Sequence, residues 1–275
     1  MPAADQALSS SRIVVFDTET TGLSPATDHV IEIAALAVEA GRETGRFASL
    51  IDPGVPIPEA LTRIHGINDE MVRGQPSFAD AARAFLDFAG ASILAAHNAP
   101  YDMAMLFPPL LDAGLEPAGN PVIDTCRLAR RLVDAPNYQL TTLAETLGIP
   151  LAGAHRAMPD VEACAALLKV CLGRIGETAT MADVERISAA RLVFARAPRE
   201  RGPLPEKLLA LGEAIGRRRD VEIVYRGGSH GDRPRRITPL YLLEMDGALA
   251  VAAVCHLDRS LKNFKLGLVL GARVV

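Results

Sequence analysis

Asp17 and Glu19 follow an apolar run, Val14-Val15-Phe16, and precede Thr20-Thr21-Gly22. Strand residues two apart leave from the same face, so both carboxylates would project together from the end of a buried strand. Two converging carboxylates repel unless a cation neutralises them, which makes this stretch the expected floor of a divalent-metal site. Two further clusters carry related groups. His97-Asn98-Ala99-Pro100-Tyr101-Asp102 places an acid where a strand gives way to a helix. His155-Arg156-Ala157-Met158-Pro159-Asp160 sets a histidine five residues ahead of an acid. Pro159 suits the first turn of a helix, so Asp160 belongs in that turn and His155 on the loop before it, with room to swing over the acids.

Four carboxylates and one histidine suit hydrolysis of a phosphodiester by two metal ions. Hard oxygen ligands select Mg²⁺ or Mn²⁺. Two such ions about 4 Å apart stabilise the attacking and leaving oxygens of an in-line displacement. The attacking water must still lose a proton, and a histidine with an ordinary pKa near 6.5 is matched to take it near neutral pH. Asp17, Glu19, Asp102 and Asp160 are thus the expected metal ligands and His155 the expected general base. Any one of these motifs arises by chance. The ordered set is specific.

The elements that must position these groups alternate. Residues 12–19, 29–39 and 45–52 read as a three-stranded meander with a turn at Ala40-Gly41-Arg42, its first strand buried on both faces. Ser77 to Ala89 has the apolar spacing of an amphipathic helix, with Ser77 as its N-cap. A short strand at 92–96, another around Val122-Ile123-Asp124, and helices at 140–147 and 159–174 complete a mixed α/β domain. Pro108-Pro109 are expected to end or kink the helix after Asp102. Residues 181–194 read as one more amphipathic helix, and 196–205 has the proline, glycine and charge content of a linker. A helix at 206–219 and β-rich runs at 221–225, 236–244, 248–255 and 262–270, with a hairpin signal at Asp246-Gly247, form a small second domain. The expected division is 1–178, a connecting 179–205, and 206–275.

DTETTGL at 17–23, VIEIAAL at 30–36, HGI at 65–67, HNAPYD at 97–102 and HRAMPD at 155–160 stand in the order found in the DEDD superfamily of 3′→5′ exonucleases, which residues 10–175 resemble in its histidine-containing, DnaQ-like branch. The resemblance implies an RNase H-like mixed sheet flanked by helices, removal of nucleotides from a 3′ end, and the roles given above. It also implies contacts to the terminal nucleotide from Thr18, Thr20, Thr21, Gly22, Leu23, His65, His97, Asn98 and Tyr101. Residues 206–270 resemble more faintly the WYL domain, an Sm-like β-barrel module, through Val221 to Tyr225, Arg236 to Leu240 and Lys262 to Leu266. The Trp-Tyr-Leu triplet itself is absent. If that module binds an oligonucleotide, Arg235, Arg236, Lys262 and Lys265 are placed for phosphates and Tyr225 or Tyr241 for stacking. A structural cap with solvated basic residues is an equal alternative.

The bulk properties set the frame. The 275 residues are 49% hydrophobic, enough for a sizeable core and more than one domain. Residues 1–178 hold 12 basic against 22 acidic side chains and residues 179–275 hold 17 against 11, so the C-terminal part carries the positive charge that faces an anionic partner. No apolar run approaches the roughly 18 residues of a membrane helix, and residues 1–11 lack a signal pattern, which points to a cytoplasmic protein without a membrane partner. The four cysteines show no metal-ligand spacing and read as reduced thiols. Gln139 to Leu143 fits a buried helix better than a sliding-clamp peptide. Gly227 to Gly231 lacks the lysine of a phosphate loop. The expected substrate is nucleic acid with a free 3′ end, single-stranded DNA before RNA, and the expected partner is a DNA polymerase or repair protein. A nucleic-acid-binding or ligand-sensing regulator using the nuclease fold as scaffold is the rival from another class.

Overall fold

The computed structural model describes residues 6–25, 27–151, 153, 155–194, 208–217, 219–227, 231–245 and 248–275. β1 (Ile13–Thr20) pairs antiparallel with β2 (Val30–Glu39), which pairs antiparallel with β3 (Arg42–Leu50). Ala40 and Gly41 make the two-residue turn between β2 and β3, both at positive φ (49° and 71°), the hand that matches the twist of the strands. α1 (Glu59–His65) stops at the left-handed Gly66, and α2 (Asp69–Val72) starts where the Asn68 side chain accepts the Met71 amide. Ser77 caps α3 (Phe78–Ala89) by accepting the Asp80 amide, as the sequence predicts. β4 (Ile93–Ala96) lies parallel to β1 and runs straight into α4 (Ala99–Asp112). β5 (Asn120–Asp124) lies parallel to β4, and its last residue caps α5 (Thr125–Leu132). α6 (Leu140–Leu147), α7 (Ala157–Ile175) and α8 (Met181–Ser188) follow.

Two expectations fail here. Residues 181–194 do not form one helix: α8 ends at Ala189, which takes left-handed backbone (φ 52°), and β6 (Ala190–Phe194) buries Leu192 and Phe194 in strand alternation. α4 runs through Pro108 and Pro109 to Asp112. Ten of its residues are buried, and that tertiary packing outweighs the hydrogen bonds the prolines remove.

The sheet order β3-β2-β1-β4-β5-β6 is mixed, with β1, β4 and β5 parallel and the rest antiparallel. Alternation along β1 sets what each face holds. Val14 and Phe16 pack with Phe85 of α3 and Met103 and Phe107 of α4, while Ile13 and Val15 pack with Leu128 of α5 and Val161 and Leu167 of α7. Asp17 and Glu19 continue the α5/α7 face, and Thr18 and Thr20 the α4 face.

The C-terminal part is α9 (Leu209–Arg217) against five antiparallel strands: β7 (Val221–Tyr225), β8 (Arg235–Met245), β9 (Ala248–Cys255), β10 (Ser260–Lys265) and β11 (Val269–Val274). A 3₁₀ turn at Leu266–Leu268 divides the expected 262–270 strand. α9 and the strands enclose their own core of Leu211, Ile215, Ile223, Ile237, Val251 and Phe264. β6 pairs with β5 on one side and β8 on the other, so the two sheets are joined through residues the sequence assigned to a connection. The proline-rich 196–205, Gly228 to His230 and Asp246-Gly247 lie outside the described residues. No helix among the described residues is long and apolar enough to cross a membrane.

Candidate active site

One carboxylate oxygen each from Asp17, Glu19 and Asp160 lies within 4.8 Å of the others. Strand alternation sends the first two to the same face, and the first turn of α7 brings the third to meet them. With no cation in place, burial raises the pKa of each of these groups, and neighbouring acids raise Asp17 and Glu19 further. Asp17 is raised well above the carboxylate range by burial, then by Asp102, Glu19, Asp160 and Glu32. Glu19 is pushed up to about 8 by burial, then by Asp160, Glu32 and Asp102. Burial raises Asp160 too, against the amide of His155, which donates to its Oδ2 at 3.2 Å. The donor set is three hard oxygens without histidine or thiolate, which fits Mg²⁺ or Mn²⁺ rather than a soft metal.

Asp102 comes from the other side of β1. It is 2% exposed, and its Oδ1 accepts both the Thr18 amide (3.1 Å) and the Thr18 hydroxyl (2.7 Å). Its charge reaches Asp17, but its oxygens are not among the three that converge. Thr18 is itself buried and supports Asp102 through both its amide and its hydroxyl. His155 stands exposed at the rim on left-handed backbone (φ 65°), next to α7.

The remaining expected contacts divide into scaffold and surface. The Thr20 hydroxyl donates to the Gly22 carbonyl (2.7 Å), and Tyr101 Oη donates to the same carbonyl (3.0 Å). Thr21 accepts the His29 amide. A Cβ on Gly22 would stand 2.3 Å from the Asp28 carboxylate, which itself accepts the Ser24 amide, so a side chain here would displace Asp28 from the turn after β1. His97 bridges Thr125 Oγ1 (3.0 Å) and the Tyr138 carbonyl (2.9 Å), and Asn98 gives its amide to Asp124. These residues shape the loops. Leu23, by contrast, is 78% exposed. His65 is buried, its Nδ1 accepts the Ile67 amide, and its Nε2 has no partner among the described residues. Nδ1 as acceptor leaves the proton on Nε2 in the neutral ring. His65 feels the charges of Glu32, Arg156 and His155, which places it on the His155 side of the site.

Glu32 was missed. It lies opposite Glu19 in the β1–β2 register, is 5% exposed, and accepts Arg156 Nη2 (2.8 Å), Arg156 Nε (3.1 Å) and the Ala157 amide (3.0 Å). It thus fixes the start of α7 between His155 and Asp160. The available signal was an acid inside the otherwise apolar strand Val30-Ile31-Glu32-Ile33-Ala34, a position where an unpaired charge is rare.

The C-terminal candidates are largely engaged within the fold. Arg235 is 4% exposed, with its guanidinium 5.7 Å from the Tyr225 ring centre. Arg236 pairs with Asp220 (2.7 Å), Lys262 with Asp258, and Lys265 is also engaged. Tyr241 is fully buried, stacked on Phe107 with its hydroxyl donated to the Pro100 carbonyl (2.9 Å), so it offers no stacking surface to a base.

Comparison with known proteins supplies the family. Residues 14–168 match the model described as RNase_T, exonuclease, and residues 206–274 the WYL domain. DNA polymerase III PolC-type of Clostridium perfringens is 39% identical over 176 residues, 64% of this chain and 12% of the polymerase. The PolC-type enzyme of Caldanaerobacter subterraneus subsp. tengcongensis is 31% identical over 247 residues, 88% of this chain and 17% of the polymerase. This chain therefore spans a small part of those relatives. Among solved structures, exonuclease X in complex with 5′ overhanging duplex DNA superposes with a TM-score of 0.53 at 28% identity, covering 64% of this chain and 99% of that one. Product-bound exonuclease I shares the fold over 94% of this chain and 63% of its own, with a TM-score of 0.58 at 18% identity. With more than half its length in the matched region and the acid cluster assembled there, the chain belongs to the DEDD 3′→5′ exonuclease family and carries a WYL domain behind its exonuclease domain.

Proposed function

We propose that this exonuclease removes nucleotides from the 3′ end of single-stranded DNA, with two Mg²⁺ or Mn²⁺ ions and His155 as general base. The convergence of Asp17, Glu19 and Asp160 within 4.8 Å carries the reading. Those three residues would hold the metal, with Asp102 braced behind Asp17 by Thr18. Divalent ions bound there would polarise the scissile phosphoryl group and lower the pKa of the attacking water. The His155 imidazole takes the proton from that water. Its exposed, left-handed loop position lets the ring swing over the acids while its amide stays on Asp160. His65 Nε2 supplies a buried donor to the strand end, and Leu23 supplies apolar surface for the terminal base. The PolC-type relatives and the DNA-bound exonuclease X favour DNA over RNA and a polymerase as partner.

The test is turnover on matched 3′-labelled DNA and RNA strands. Protein with Mg²⁺ or Mn²⁺ should shorten the DNA from its 3′ end and stop on addition of EDTA. Asp17→Ala should abolish cleavage while the protein stays folded, since the substitution removes a buried, repelled carboxylate. Unchanged activity in that variant overturns the site, and faster RNA turnover overturns the substrate.

A further inference from the structure

We propose that a pocket on α5, beside the acid cluster but separate from it, binds backbone phosphates of the substrate strand upstream of the bond being cut. The proposal rests on the nuclease reading. Arg127, Arg130 and Arg131 follow the i, i+3, i+4 spacing that puts side chains on one helical face. With Tyr138 and Ser188 they line a cavity of about 370 Å³ that has no acidic residue in its wall. Arg127 is engaged: its Nε and Nη2 donate to the Ser188 and Ala189 carbonyls (3.1 and 3.3 Å), which fixes the corner between α8 and β6 as the pocket's back wall. Arg130 lays its guanidinium face over the Tyr138 ring, 4.8 Å from its centre. Stacking engages the face and leaves in-plane N–H donors for an anion, one side being turned to the Cys126 thiol. Arg131 is exposed, and neither it nor Arg130 has an ion pair among the described residues.

Cations at a helix C-terminus favour the macrodipole, which accounts for Arg130 and Arg131 in the last turn but not for the cavity they wall together with Arg127. Forked guanidinium donors match phosphate oxygens in geometry. Two hydrogen bonds tie the elements of this wall to those that carry the acids. The Tyr138 carbonyl accepts His97 Nε2, and Asp124, which caps α5, accepts the amide of Asn98 at the start of the helix carrying Asp102. From Asp124 to Arg131 is about 10 Å along the helix axis. A strand with its 3′ end at the acids therefore has its earlier phosphates within reach of this wall. Arg236 and Lys262 of the C-terminal strands are paired with Asp220 and Asp258 and Arg235 is buried.

The experiment measures binding of fluorescein-labelled dT12, with Ca²⁺ in place of Mg²⁺, to the full chain and its variants, and then the ratio of KM for dT12 to KM for the dinucleotide dTpdT. Arg131→Glu should weaken dT12 binding about five- to twentyfold and flatten its salt dependence by about 0.7 in log–log slope for each phosphate no longer neutralised. The KM ratio should rise accordingly, and Arg131→Lys should recover most of the loss. Arg83→Glu, the same charge change on the exposed face of α3, should move neither quantity. Thermal melts of each variant exclude unfolding. Wild-type dT12 binding by Arg131→Glu, an equal loss for dT12 and dTpdT, or displacement by polyglutamate but not by competing dT12 overturns the proposal. The two readings separate: Arg131-dependent binding without cleavage removes the nuclease assignment, whereas cleavage without Arg131 dependence removes the pocket.

Discussion

Glu32→Gln tests how the fold aims His155, the proposed general base. The carboxylate is buried and both oxygens are occupied, Oε1 by Arg156 Nη2 and Oε2 by Arg156 Nε and the Ala157 amide. Glutamine keeps the volume but removes the charge and turns an NH₂ group toward one of these donors. A hydrogen bond to a charged group contributes about 1.5–3 kcal/mol. Arg156 is 39% exposed, so solvent discounts the pair, and about 2 kcal/mol is the expected loss. For a protein of this size that lowers Tm by roughly 4–8 °C. The larger effect should be kinetic. Arg156 sits between His155 and the first turn of α7, and a displacement of about 1 Å in a catalytic group lowers rate by as much as about 100-fold. We expect kcat to fall about 10- to 100-fold with KM little changed, and Mn²⁺ affinity by calorimetry to stay within about threefold. Both Glu32 oxygens face Arg156 and Ala157, not the converging acids. A lowered Tm with full kcat would reduce Glu32 to a stability role. A collapse of Mn²⁺ affinity would make it a ligand, and either result refutes the reasoning.

Two further perturbations follow from the same structure. Glu19 stands at about 8 in the metal-free protein against 4.5 ordinarily, so between those values the folded state holds a proton that the unfolded chain has released. Metal-free stability must then fall as pH rises from about 5 through about 8. Melts in EDTA at pH 6 and pH 9 should show the decline and Mg²⁺ should reverse it mainly at pH 9; a metal-free Tm that climbs over this range contradicts the electrostatic picture. Tyr241→Phe removes the hydroxyl donated to the Pro100 carbonyl, a loss of about 1 kcal/mol, or roughly 2–4 °C in Tm. Because Pro100 lies in the same helical turn as Asp102, kcat should drop several-fold too, and an unchanged kcat would show that α4 is held without help from the C-terminal strands.

The parts of the site that were legible in the sequence share one property: each acid of the cluster sits at the end of a strand or the start of a helix, where local pattern fixes its direction. Asp17 and Glu19 needed only strand alternation. Asp160 needed only a helix start, which Pro159 marks. Glu32 escaped because its partner is Arg156, 124 residues later: an acid in an apolar strand signals that a partner is needed but not which residue supplies it. Residues 181–194 misled for another reason. Met181 and Val184 do face inward from a helix, but the break falls at Ala189, a non-glycine residue in left-handed backbone that propensity disfavours. Thr18 was read by its place in a motif, when the strand had already turned it to the opposite face from Asp17.

The join between the two sheets changes what the C-terminal domain can be doing. β6 takes hydrogen bonds from β5 and β8, and the core beneath it runs without a gap from Phe16 and Phe85 through Phe107 and Phe194 to Tyr241 and Leu243. Phe107 stacks on Tyr241 at 5.0 Å and meets Phe194 edge-on at the same distance, so an exonuclease helix is packed against side chains from the connecting and C-terminal strands. Removing residues 206–275 would open that face to water instead of releasing an independent module. Three of the C-terminal residues expected to meet phosphates are engaged within the fold: Arg236 and Lys262 pair with Asp220 and Asp258, and Arg235 is buried against Tyr225. Through Tyr241, which stacks on Phe107 and donates to the Pro100 carbonyl, the C-terminal strands are tied to α4, the helix that carries Asp102. The proposed phosphate wall lies instead on α5, inside the domain whose overall charge is negative.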